Sequence, residues 1–126
     1  MKNANAQKLT PESTTVWSFP QRGDWATHSP AYRGNFAPQV PRNLIQMYSE
    51  PGQTVLDPMV GGATTLIEAK LLGRNGIGID INPAAVRLAD KALSFSHRPP
   101  TTQEVRLADA RDLSFIEPES IDLVVT

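Results

Sequence analysis

Apolar and polar residues fall into repeating blocks from Val40 onward. In "VPRNLIQMYSEPG" the spacing of Leu44, Ile45 and Tyr48 behind Pro41 predicts a helix with these three on its buried face, closed by Pro51-Gly52. "QTVLD" is a short apolar run with a β-branched centre and predicts a buried strand over 53–57. The apolar positions of "GATTLIEAKLLG" predict a helix from about 63 to 72, stopped at Gly73. "GIGID" predicts a second strand over 76–80. The helix after it has Asn82 as N-cap and Pro83 in its first turn. "EVRLAD" predicts a third strand over 104–109. A connection with room for one helical turn then leads to a fourth strand in "IDLVVT". Strand and helix alternate, which is the pattern of a parallel α/β sheet joined by right-handed crossovers.

Residues 16–42 break this pattern. Four prolines punctuate them, and Trp17, Phe19, Trp25, Tyr32 and Phe36 follow neither a helical nor a strand period. Five of the chain's eight aromatics lie here. Two compatible readings follow: a segment pinned to the core by aromatic anchors, and one wall of a ligand pocket. Residues 1–15 are polar and read as a frayed tail, leaving 16–126 as the folded part.

Bulk properties narrow the picture. The 126 residues suffice for one core, and the net charge of -1 leaves no polybasic footprint. The absence of cysteine excludes disulfides and cysteine-bound metals and points to a reducing, cytoplasmic setting. No apolar run approaches the length of a membrane span, so no membrane partner and no metal is expected.

The chemistry is concentrated at strand ends. The first strand ends in Asp57, turns through Gly61-Gly62 and opens a helix, so backbone N–H groups face whatever binds there. The second ends in Asp80, 23 residues after Asp57, placed to accept hydrogen bonds from a ribose diol. The third ends in Asp109, placed for an adenine amino group. Each Asp alone also reads as a turn former, but the ordered set of three with the glycine loop points to a nucleoside ligand. The loop lacks G-x-G-x-x-G, and an acid at position 57 repels pyrophosphate, which disfavours a nicotinamide-dependent dehydrogenase. S-adenosylmethionine carries no phosphate, and its sulfonium and ammonium groups favour an acid.

"DPMVGGATTLIEA" with "GIDINP" resembles the cofactor motifs of the S-adenosylmethionine-dependent DNA amino-methyltransferases, which modify adenine N6 or cytosine N4. The family pattern D-P-F-x-G-x-G-T-T is matched at Asp57, Pro58, Gly61, Thr64 and Thr65, with departures at Met59 and at Ala63, where Gly is usual. The resemblance covers 16–126 and implies the first half of a Rossmann-like methyltransferase sheet, in strand order 3-2-1-4. It implies that Tyr32, Arg33, Gly34, Asn35 and Phe36 line the methionine end of the cofactor. Gly62, Ile81 and Ala110 join the site beside the loop and the acids. Ala63 is expected to crowd the cofactor by one methyl.

In this family the fourth strand runs into Asp/Asn/Ser-Pro-Pro-aromatic, which holds the target amine and stacks on the flipped base. "DLVVT" is the usual approach to that motif, and the sequence stops at Thr126 just before it, so no catalytic residue is assigned. The implied activity is direct methyl transfer to an exocyclic amine in DNA, as in restriction-modification, with this chain as the cofactor-binding half. The implied partners are DNA, reached through regions largely outside this chain, and a complementary chain carrying the catalytic half. The unpaired edge of the fourth strand adds an expectation of self-association. An RNA amino-methyltransferase and a non-catalytic binding subunit remain as alternatives.

Overall fold

The computed structural model describes residues 10–126. Residues 1–9 of the expected tail lie outside the described residues. The elements are α1 (Gln39–Tyr48), β1 (Thr54–Asp57), α2 (Thr64–Leu71), β2 (Asn75–Asp80), α3 (Pro83–Ala92), β3 (Gln103–Leu107) and β4 (Leu123–Val124). All strand pairs are parallel, in the order β3-β2-β1-β4. The chain steps outward from β1 to β3 and then returns to the far side of β1. This puts the switch of direction between β1 and β4, and in open α/β sheets the ligand crevice forms at such a switch.

The glycines of β2 explain how closely α2 lies on the sheet. A Cβ on Gly78 would meet Val60 at 2.6 Å and Leu66 at 2.9 Å, so only Gly allows this approach. Leu66 and Ile67 of α2 pack there with Val60, Ala63, Ala89 and Leu93. On the other flank Ile45 of α1 meets Val55, Ala69 and Val125. Asn82 caps α3 as expected, its Oδ1 accepting from the Ala84 N–H at 3.0 Å.

Three local expectations change. Tyr48 is 61% exposed, off the buried face that holds Ile45, because α1 packs on α2 through a narrow stripe. The fourth strand ladders only over Leu123–Val124, although N–H groups of Asp122 and Val125 still bond the carbonyls of Thr54 and Leu56, both at 3.0 Å. No helical turn forms in 108–122. Asp109 and Asp112 instead accept from the N–H groups two residues on, at 2.9 and 3.1 Å, which turns the chain locally. Among the described residues, no helix is long and apolar enough to cross a membrane.

Candidate functional site

Two adjoining clefts open at the carboxyl ends of β1, β2 and β3. The first, about 230 Å³, is lined by Tyr32, Arg33, Gly34, Asn35, Phe36, Asp57, Gly61, Gly62, Thr64 and Thr65, with Met59, Val60 and Thr126. The second, about 400 Å³, is lined by Pro58, Asp80, Ile81, Asp109 and Ala110, with Met59 and Arg111. Every residue nominated from the sequence therefore faces one of two spaces that share Met59.

The loop between β1 and α2 is strapped on both sides. Asp57 Oδ1 accepts from the Met59 N–H at 3.1 Å. Asp80 Oδ2 accepts from the Gly61 N–H at 3.0 Å, and its Oδ1 from the Asn82 N–H at 2.9 Å. Gly61 sits at φ +50°, and a Cβ there would stand 2.7 Å from the Tyr32 ring. Both constraints select Gly. No side chain caps α2, so its opening N–H groups remain available to a ligand beside Thr64 and Thr65.

Asp57 is 3% exposed. Burial pushes its carboxyl above the ordinary carboxylate range, and the neighbouring Asp80 charge adds to this. The Met59 N–H and the hydroxyls of Thr65 and Thr126 act the other way. Thr65 Oγ1 is buried without a partner in strict hydrogen-bond geometry, yet close enough to favour the anion. Among the described residues, no cation stands within ion-pair distance of Asp57 or Asp80. The first cleft thus has a buried acid that lacks a counter-ion.

An acid whose pKa is raised by folding binds its proton more tightly folded than unfolded. The contribution of Asp57 to stability is then most favourable at low pH and falls as pH rises from the ordinary value through the raised one. Asp57→Asn is expected to melt higher than wild type at neutral pH, the gap closing on acidification, and to bind a cationic ligand more weakly. Thermal melts across pH with parallel titrations check this; a variant that melts lower at neutral pH contradicts it.

Asp109 does not stand free as expected. Arg111 grips it through Nε at 3.0 and 3.1 Å and Nη2 at 2.5 Å, and the Arg111 N–H bonds Oδ1 at 2.9 Å. These hydrogen bonds hold its carboxyl low, at about 2. Three N–H groups of Arg111 thus engage both carboxylate oxygens, the Nε–H shared between them. Arg111, 88% exposed, must turn aside before Asp109 can receive a ligand.

Ala63 corrects another expectation. Its methyl points into the core with Leu66, Ile67 and Ala89 and away from the clefts, so it does not crowd a ligand. Its φ of +68° is strained for a residue with a Cβ. Ala63→Gly relieves about 1–2 kcal/mol of strain. Against that, it loses about 0.8 kcal/mol of methyl burial and gains chain flexibility. The expected stability change is within about 1 kcal/mol, with ligand affinity unchanged; denaturant unfolding and calorimetry on the pair check both.

A family model described as DNA methylase matches residues 1–91, most of the chain. The chain belongs to the DNA methylase family of N6/N4 amino-methyltransferases. The cofactor of these DNA methylases is S-adenosylmethionine. A type II methyltransferase of Geobacillus stearothermophilus, M.BsoBI, is 45% identical over 68 residues, 52% of this chain and 13% of that protein. A tRNA (guanine(10)-N2)-dimethyltransferase of Methanothermobacter thermautotrophicus is 34% identical over 96 residues, 75% of this chain and 27% of that protein. In fold, the chain resembles an rRNA methylase of Streptococcus thermophilus (TM-score 0.56, 15% identity), over 68% of this chain and 46% of that one. The chain spans between an eighth and about a quarter of the two curated relatives described.

Sequence reasoning overlooked Met59, Val60 and Thr126 as lining residues. It also overlooked Glu68, His28 and Arg42, which meet in one buried cluster. One signal for these was present. Six consecutive residues, Thr64–Ala69, are buried in α2, and a lone Glu in a helix buried all round announces a buried partner.

Proposed function

We propose that this chain is the cofactor-binding half of a methyltransferase that modifies an exocyclic amino group in DNA, adenine N6 or cytosine N4. The observation that carries this is the buried, unpaired Asp57 beneath a glycine loop and an uncapped helix. That donor set fits a zwitterion with an extra cation and no phosphate. Asp57 attracts the positive charges, while the N–H groups opening α2 receive a carboxylate. Asp80 accepts from the ribose hydroxyls. Met59 and Ile81, 66% and 70% exposed, offer apolar faces to the adenine ring. Bound here, S-adenosylmethionine supplies an activated methyl group. Within 1–126 the one Pro-Pro pair is Pro99-Pro100, followed by Thr101, and no residue here is assigned to holding the target amine.

The tRNA dimethyltransferase relative supports a second reading, an amino group of RNA, since an exocyclic amine poses the same chemical problem in either polymer. Titration calorimetry is expected to show binding of S-adenosylmethionine and none of NAD; the reverse would overturn the cofactor reading. Tritiated methyl transfer is expected to be absent with the chain alone. It is expected to appear in DNA and not in tRNA once the catalytic part of a relative such as M.BsoBI is supplied. Label in tRNA alone decides for the second reading, and turnover by the 126 residues alone removes the half-enzyme reading.

A further inference from the structure

Glu68 lies in the middle of α2 with no solvent exposure. A carboxylate so far from water persists only if its partners replace the lost hydration. Three donors do so. Oε1 accepts from Trp25 Nε1 and from His28 Nε2, both at 2.6 Å, and Oε2 accepts from Arg42 Nη1 at 2.7 Å. The donors also touch one another: the Trp25 and His28 rings meet edge to face at 5.8 Å, and the Arg42 guanidinium lies 5.9 Å from the Trp25 ring centre.

The donors come from two places in the chain. Trp25 and His28 precede the loop 29–38; Arg42 sits in the first turn of α1, just after it. That loop contains no strand or helix, and it carries Tyr32–Phe36, one whole wall of the first cleft. Its internal bonds are few. Asn35 Nδ2 donates to the Ser29 carbonyl at 3.0 Å, the Ala31 N–H to Ser29 Oγ at 3.2 Å and the Asn35 N–H to the Tyr32 carbonyl at 3.5 Å; from outside the loop, Arg22 Nη2 donates to Asn35 Oδ1 at 3.1 Å. A loop of this length has no fixed course unless its ends are fixed. Here one buried carboxylate bonds both ends, Gln39 adds a more exposed tie to Gln21 and Gly23, and the Tyr32 ring comes to rest against Gly61.

The cluster is also incompletely satisfied. Among the described residues, His28 Nδ1 and Arg42 Nε are buried with no hydrogen-bond partner. A cluster selected for stability alone would pair these atoms or replace them with apolar side chains. What it supplies is geometry.

We propose that Glu68 is a positioning residue for ligand binding: it staples both ends of the 29–38 loop and so sets the wall that receives the amino-acid end of the cofactor. The proposal rests on the reading of the first cleft as the methionine end. The nucleoside end stands on β2 and β3 and is independent of the staple.

The test compares S-adenosylhomocysteine with 5′-methylthioadenosine, which has the same nucleoside and sulfur but no amino-acid end. In Glu68→Gln and His28→Ala, affinity for S-adenosylhomocysteine is expected to fall about tenfold, with methylthioadenosine changed less than about twofold. His28→Gln, which retains an N–H donor for Glu68, is expected to keep most of the wild-type affinity. Amide hydrogen exchange is expected to rise over 29–37 in the first two variants and to stay native over β1 and β2. A purely structural role would weaken both ligands together and loosen the sheet, and that result overturns the proposal. So does unchanged exchange over 29–37 in a folded His28→Ala. Wild-type chain that binds neither ligand, with exchange changed as expected, leaves the staple standing and removes the cofactor reading instead.

Discussion

Asp80→Ala is expected to bind S-adenosylmethionine about 100-fold more weakly than wild type, the equivalent of about 3 kcal/mol. Two losses add. A carboxylate that accepts two hydrogen bonds from a ribose diol contributes roughly 2–4 kcal/mol, because each bond is charge-assisted. The same carboxylate holds the glycine loop through the Gly61 N–H at 3.0 Å and the start of α3 through the Asn82 N–H at 2.9 Å. Without it the loop loses a strap just where the Tyr32 ring presses on Gly61. Asp80→Asn separates the two effects. It keeps one oxygen for the Asn82 N–H and turns an amide N–H toward Gly61 or the ribose, so its loss is expected to lie between wild type and alanine. Isothermal titration with matched thermal melts reads both, and equal affinity in wild type and Asp80→Ala would falsify the assignment.

Glu68→Ala is expected to destabilise the fold by about 3–5 kcal/mol, as when one partner of a buried ion pair is removed. The substitution leaves the Arg42 charge, the His28 ring and the Trp25 N–H buried without an acceptor. Single domains have about 5–15 kcal/mol in total, so such a loss leaves much of the chain unfolded at 37 °C. The cause is an uncompensated charge more than missing packing. The double variant Glu68→Leu with Arg42→Met is therefore expected to recover a large part of the loss while leaving the 29–38 loop unstapled. Urea unfolding measures both, and a single variant within about 1 kcal/mol of wild type would show that water reaches the cluster. Asp57 offers a contrast: it is also a buried acid, but its position in the first cleft makes its cost a condition of binding a cation.

The parts that were legible in the sequence are those written in contiguous residues. The alternation of strand and helix, the glycine loop and the acids at the ends of β1 and β2 follow from periods of 2 and 3.6 and from local turn chemistry, while the β3-β2-β1-β4 order is implied by the family resemblance; β3 ends at Leu107, two residues before Asp109 and short of the expected 104–109. The parts decided only by the tertiary structure join distant residues. Glu68 meets donors 43, 40 and 26 positions away; its place among apolar residues of α2 points to a buried partner, but nothing local says that Trp25, His28 and Arg42 supply it. The direction of the Ala63 methyl depends on how α2 lies on Gly78. Sequence determined which chemical groups stand at the rim, since a strand end is a local event. Packing determined which of them a ligand finds unpaired: a buried charge takes its partner from whatever the fold brings within about 3 Å, whatever the separation along the chain.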